Sequence, residues 1–329
     1  MRRLWVAALV AVWLLLGTAT VPLLPASAAS PERVYLPLVQ RAAALDPGGR
    51  QAAADLYRQE YLSADGIPTG WTGSHSACSP GATSAEFRAA VLRRINYFRT
   101  MAGLPAVTLN EEYSRKAQAA ALMMSVNRDL DHTPPSGWQC YSADGAQAAG
   151  SSNLCLGCMG PGAISAYMLE GGPVGHRRWV LYPQTQEMGT GDIPGTAGYP
   201  GANALWVFDT HMWEPRPATR DGFVAWPPPG YVPYRVVNDH WSLSYPDADF
   251  RSATVTMVAG GAGVPLTLEP VVDGYGENTL VWTVQGIPAG SSWPRPAADT
   301  AYTVQVQNVL VSGQARSFGY TVTVFDPGS

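Results

Sequence analysis

The chain has 329 residues, 46% of them hydrophobic and 14% charged, with 34 Gly, 28 Pro and a formal net charge of −4. That length exceeds one small domain and fits two, and the apolar fraction excludes wholesale disorder. A mildly acidic chain with a single lysine, Lys116, and no basic block offers nothing to a polyanion, so nucleic acid is excluded as a partner.

Residues 1–28 read as a secretory signal peptide. Met1-Arg2-Arg3 is the positive start, the run from Leu4 to Gly17 is apolar, and Ala26-Ser27-Ala28 is a small-residue cleavage site. The apolar run falls short of the roughly 20 residues that span a bilayer. No later stretch is long enough either, so the mature chain is expected to be secreted and extracellular, with no transmembrane segment after cleavage. Export makes disulfides the default state of Cys78, Cys140, Cys155 and Cys158. Of the possible connectivities, Cys78–Cys140 with Cys155–Cys158 is favoured. Zinc at Cys155-Leu156-Gly157-Cys158 is disfavoured, because a four-cysteine site needs a second such pair.

Residues 29–80 form an N-terminal extension, with a candidate helix over 51–61 and a turn-rich lead-in over 66–80. Thr83-Ser84-Ala85-Glu86 then has capping-box spacing. Phe87, Val91, Ile95 and Phe98 recur at helical intervals, which predicts a helix ended by Gly103. A second helix starts after Asn110, with Glu111 and Glu112 favourably placed in its first turn, and runs through Tyr113, Ala117, Ala120 and Met124. Residues 129–162 read as loop. Residues 163–170 read as a short helix stopped by Gly171-Gly172-Pro173, and 179–182 and 205–208 as buried strands. Residues 81–214 are thus expected to be an α+β domain.

Residues 215–233 carry six prolines and read as a stiff linker. Beyond them the pattern changes to period two, as in Thr254-Val255-Thr256-Met257, Tyr302-Thr303-Val304-Gln305-Val306 and Tyr320-Thr321-Val322-Thr323-Val324. Short alternating strands over 234–329 predict an all-β, Ig-like sandwich domain.

The chain lacks Gly-x-Ser-x-Gly, His-Glu-x-x-His, a phosphate loop and a dinucleotide fingerprint. Two of its five histidines lie in informative surroundings. His132 follows the second helix in Asp131-His132-Thr133-Pro134-Pro135. His176 follows the third in Val174-Gly175-His176-Arg177-Arg178-Trp179, shortly after Glu170. Two imidazoles and a carboxylate that converge can hold a zinc ion with an open position, or share protons as a general acid/base set. The competing reading is two histidines hydrogen-bonded at helix ends, and spacing alone leaves both open. His75, in a turn, and His211 and His240, near tryptophans, read as structural.

Taken together, the ordered segments resemble the CAP superfamily of cysteine-rich secretory, antigen 5 and pathogenesis-related proteins. The likeness spans about residues 84–212. It is carried by Arg94-Ile95-Asn96-Tyr97-Phe98-Arg99, Gly103-Leu104-Pro105-Ala106-Val107, Ala117-Gln118-Ala119-Ala120, His132-Thr133-Pro134-Pro135, Ser152-Asn153-Leu154 and Val174-Gly175-His176-Arg177-Arg178-Trp179. The resemblance implies a bacterial secreted member with a three-layer α-β-α sandwich and a central cleft holding two histidines and two acidic residues. The histidines fall on His132 and His176, the second acid on Glu170 and the first on Ser152. A serine supplies no carboxylate, so this chain departs from the family's tetrad, and metal affinity is expected to weaken. Asp131 and Asp144 are near enough in sequence to be considered as substitutes.

Sterol, fatty-acid and metal binding recur in the family, without one shared catalytic activity. The leading expectation is therefore a secreted module that binds a divalent cation (Zn²⁺ through His132 and His176) or a small apolar ligand in its cleft, with no catalytic residue assigned. One alternative is a metal-dependent hydrolase or peptidase using His132, His176 and Glu170. Another is adhesion of the β-sandwich to a cell-envelope component through Trp226, Tyr231, Trp241, Trp282 and Trp293, all of which can equally fill its core.

Overall fold

Helix formation begins where side chains satisfy the first free N–H groups. In the computed structural model, which describes residues 47–288 and 290–328, the chain opens with α1 (Arg50–Leu56), prolonged by a π turn and a 3₁₀ turn to Ala64. The signal-peptide reading of residues 1–28 lies outside the described residues. Helix α2 (Ala85–Met101) is capped by Ser84, whose hydroxyl accepts from the Phe87 N–H at 3.1 Å, so the cap sits one residue later than the capping-box spacing implied. It ends at Gly103, whose φ of +72° is the left-handed conformation a C-terminal cap requires. Strand β1 (Thr108–Leu109) follows. Asn110 then caps α3 (Glu111–Asn127), its side-chain oxygen accepting from Glu112 and Tyr113.

Residues 129–162 are not all loop. They hold α4 (Ala143–Gly150), capped by Ser142, and β2 (Ser152–Leu156). Small residues hid α4: Ala148 and Ala149 pack on α3 without an apolar stripe of large side chains. Strand β2 is only five residues long and carries a polar Ser152-Asn153 start. Helices α5 (Gly160–Met168) and α6 (Gly175–Val180) come next. The 179–182 run expected as a strand instead belongs to α6 and the turn after it, with Leu181 N–H bonded to Arg177 O. A short apolar run suits a buried helical turn as well as a strand.

Strands β3 (Glu187–Ile193) and β4 (Ala202–Trp206) complete a sheet of order β1-β3-β4-β2. Residues 205–208 are therefore only partly strand. The sheet's two faces bury different helices. Met188, Leu205 and Val207 share a core with Val91, Ile95 and Phe98 of α2, whereas Ile193, Ala204 and Trp206 share one with Ala117, Ala120 and Met124 of α3. This is the expected α-β-α arrangement. Gly189 and Gly191 let α3 approach β3, since a Cβ at Gly191 would overlap the Ala117 backbone. The Cys78–Cys140 disulfide, with Cα atoms 5.0 Å apart, ties the lead-in to the loop before α4, and Cys155 and Cys158 form a second pair.

The proline-rich stretch is more than a linker. Its second half supplies β5 (Val224–Trp226) and β6 (Gly230–Pro233), because its prolines fall between the strands or at a strand end. The strands that follow are β7 (His240–Ser244), β8 (Ala248–Asp249), β9 (Thr254–Ala259), β10 (Ala262–Gly263), β11 (Leu266–Leu268), β12 (Thr279–Val284), β13 (Thr300–Val311) and β14 (Gln314–Phe325). They build two sheets, β10-β9-β13-β14-β6 with β8 beside β13, and β11-β12-β7-β5. The pairs are antiparallel except β14 with β6. The three period-two segments named above lie in β9, β13 and β14.

One apolar core joins the α-β-α layers to this all-β region. Trp226 meets Phe98 of α2 at 5.1 Å between ring centroids. Trp226, Trp241 and Trp282 are fully buried and Trp293 is 5% exposed, so these rings fill the core. Helix α1 buries Ala53 and Ala54 against Phe325 of β14. Replacing Gly191→Ala should destabilise the chain by about 2 kcal/mol through overpacking between β3 and α3. Urea unfolding measures this, and an unchanged midpoint would show that the sheet is free to move away from the helix.

Candidate functional site

Carboxylates and imidazoles at helix ends are held by whichever backbone groups the helix leaves free. Glu170, two residues past α5, accepts from the Arg177 N–H through Oε1 at 3.0 Å and bonds His176 Nδ1 through Oε2 at 2.7 Å. Glu170 is thereby spent on orienting His176 and leaves that ring's Nε2 as its available nitrogen. On the other side, His132 Nδ1 lies 2.9 Å from Ala149 O at the end of α4. A carbonyl only accepts, so Nδ1 is the donor of this bond and Nε2 takes no part in it. His132, Ser152, Glu170 and His176 all line one cleft of about 370 Å³, with Gly150, Asn153, Trp179, Val207, Phe208, Gly274 and Tyr275 among its other walls.

Underneath, the cleft rests on a buried polar network, of which only Tyr167 was signalled by the sequence, through its place three residues before Glu170. The buried Tyr167 ring lies 5.1 Å from the His176 ring, and its hydroxyl donates to Asn203 Oδ1 at 2.8 Å. Asn203 donates in turn to Asp192 Oδ1, also at 2.8 Å. Burial pushes the Asp192 carboxyl above its ordinary value, against the pull of its donors Gly160, Asn203 and Thr190.

The all-β region braces the same residues. Asn238 Nδ2 donates to the carbonyls of Leu169 and Glu170 at 2.8 and 3.2 Å. Arg177, 1% exposed, donates to Met168 O, His240 O, Ser242 Oγ and Asn238 Oδ1. Arg178 donates to Val272 O and Glu277 O. The two arginines after His176 are thus buried fasteners between α6 and the β strands. Their adjacency to His176 in sequence was the available signal.

Zinc with three protein ligands needs donors converging on a point about 2 Å from each. His132, Glu170 and His176 do not meet that need. Among the described residues, the one group of three histidine, cysteine or acidic side chains with ligand atoms within 4.8 Å of one another is Glu187, Asp209 and His211. Ser152 offers a neutral hydroxyl in place of a carboxylate, and its Oγ is buried without a partner. Neither nearby aspartate substitutes for it: Asp144 pairs with Arg115 at 2.8 Å, and Asp131 accepts from the Thr133 N–H.

The Glu187-Asp209-His211 group is occupied by internal bonds. Asp209 accepts from the N–H groups of Gln186, Glu187 and His211, and lies 2.7 Å from His211 Nδ1. Burial pushes its carboxyl up, but these donors outweigh burial and hold it below its ordinary 3.8. The Asp209 carboxylate raises His211 above its ordinary 6.5. The lowered acid contributes stability that is present above pH 3.8 and lost as pH falls through its folded value. The raised imidazole contributes stability that is full below pH 6.5 and lost as pH rises through its folded value. Asp209→Asn should therefore lower Tm most between those two pH values and less on either side. A Tm deficit constant from acid to alkali would rule this linkage out.

None of the curated proteins matches the chain. Among solved structures, two crystal structures of PcoC, a methionine rich copper resistance protein from Escherichia coli, are similar at 13% identity and a TM-score of 0.24. They cover 30% and 33% of this chain and 92% and 99% of their own, the second being the selenomethionine form. A likeness that low bears on neither fold nor function. Residues 92–209 match the model of the cysteine-rich secretory protein family, CAP. The matched stretch runs from within α2 through α6 and the four-stranded sheet, and takes in His132 and His176, so this part of the chain is similar to the CAP family.

Proposed function

We propose that this chain is a secreted CAP protein whose cleft binds a small molecule with an apolar body and a polar end, and that it is not a general enzyme. The observation that carries the reading is the composition of the cleft. Trp179, Val207, Phe208 and Tyr275 supply apolar surface, and His132 and His176 supply polar atoms at the same place. A volume of about 370 Å³ lies in the range of small-molecule sites. Secretion is supported by the leader pattern of residues 1–28 and by the Cys78–Cys140 disulfide.

The donor set favours an organic ligand over a divalent cation. Glu170 already serves His176 and Arg177, and Ser152 adds no charge. A metal-dependent hydrolase needs ligands that converge on a metal carrying an activated water, and His132, Glu170 and His176 are not such a converging set among the described residues. Adhesion through the β region needs exposed rings, whereas Trp226, Trp241 and Trp282 are buried.

Fluorescence titration with dansyl-undecanoic acid tests the reading. The wild type should bind with a micromolar Kd, and His132→Ala or His176→Ala should weaken binding about tenfold through loss of one polar contact. Zinc calorimetry is the companion measurement. The wild type should give little heat, and Ser152→Glu, which restores an acid at that wall, should gain it. Strong zinc heat from the wild type that disappears in both histidine variants, without any dye binding, would replace the apolar-ligand reading with a cation site.

A further inference from the structure

The CAP match ends at residue 209, yet the cleft has a wall beyond it. Gly274 and Tyr275, between β11 and β12, line the same cleft as the two histidines. This segment is fastened at both ends to α6, the helix that carries His176. Arg178 donates to Val272 O at 2.6 Å and to Glu277 O at 2.9 Å, and its guanidinium lies 5.6 Å from the Tyr275 ring. Glu277 is also paired with Arg216. Gly276, at φ +56°, brings the backbone so close that a Cβ there would lie 3.0 Å from Arg178 O. Gly175, the first residue of α6, makes room for the ring, since a Cβ there would lie 3.2 Å from it.

Tyr275 is nevertheless 41% exposed, whereas the core tryptophans of the same region are fully buried. Packing therefore fixes where the ring stands without covering its outer face. Trp179 and Phe208, stacked edge-on at 4.7 Å, line the cleft with it. An anchored aromatic surface beside other rings is what an apolar ligand body covers on binding.

We infer that Tyr275 is a specificity-determining residue of the cleft, its ring covering the apolar body of an amphipathic ligand, so that the all-β region forms part of the binding site. The inference rests on the ligand-cleft reading above and adds a wall to it. The test uses the full chain, dansyl-undecanoic acid and three variants. Tyr275→Ala should raise Kd about tenfold, mainly through faster dissociation measured by stopped flow. Tyr275→Phe keeps the ring and should stay within about twofold of wild type. Trp213→Ala removes a ring that is 84% exposed and does not line the cleft, and should change nothing.

Circular dichroism should show all three variants folded, because Tyr275 and Trp213 are both partly or largely exposed. Equal affinity of Tyr275→Ala and wild type overturns the inference. So does an equal loss in Tyr275→Phe, which would assign the effect to the hydroxyl, or in Trp213→Ala, which would assign it to general surface adsorption. Failure of the wild type to bind the dye at all overturns the ligand-cleft reading and this inference with it, an outcome distinct from the variant-specific ones.

Discussion

Buried guanidinium groups bonded to backbone carbonyls are the constraint on which this structure turns. Arg94, Arg99, Arg177 and Arg178 are each at most 5% exposed. Burial lowers Arg99 to about 9 and Arg177 and Arg178 to about 10, so all three still carry charge at neutral pH. A buried charge is tolerated where most of its donors are taken up, as the terminal guanidinium nitrogens are here, although Nε of Arg94 and of Arg178 is buried without a partner. Arg99 donates to the carbonyls of Pro105, Val180, Tyr182 and Thr185, closing α2 onto the chain that follows α6. Arg94 bonds Pro161 O, Tyr61 O and Asp65, joining α2 to α5 and to the N-terminal extension. Each arginine offers a fork of fixed donors, which suits the free carbonyls at loop ends better than a flexible ammonium would.

The arginine pair after His176 carries this principle into the cleft. The imidazole faces the cleft while Arg177 and Arg178 run into the β region, so position and support come from three consecutive residues. Asn238 holds the backbone of Glu170, whose side chain then holds His176. The proline-rich segment contributes to the same union. It places Trp226 against Phe98 and feeds β5 and β6 into the two sheets. A core shared in this way makes the β region a structural component of the site.

The cleft holds two histidines, one acid and a neutral serine at position 152. With Glu170 committed to His176 and Arg177, no second carboxylate balances a cation there. The acid-rich group at Glu187, Asp209 and His211 sits apart, satisfied by its own N–H donors, and fastens the start of β3 to the turn after β4. Charge is thus concentrated in internal fastening, while aromatic surface is left open at the cleft.

Local chemistry by itself determined the caps and faces of α2 and α3, the alternation of β9, β13 and β14, and the CAP resemblance of the middle of the chain. Periodicity and capping are properties of neighbouring residues, so a linear reading finds them. The same reading missed α4, whose small residues leave no apolar pattern, and β2, which is too short to show one, and mistook the end of α6 for a strand, because four apolar residues suit either structure. Only the tertiary structure decided that His132, Ser152, Glu170 and His176 share a cleft, that Tyr275 walls it, and that the metal-like grouping falls on Glu187, Asp209 and His211. Those placements depend on contacts between segments far apart in the chain, which spacing along the sequence does not encode.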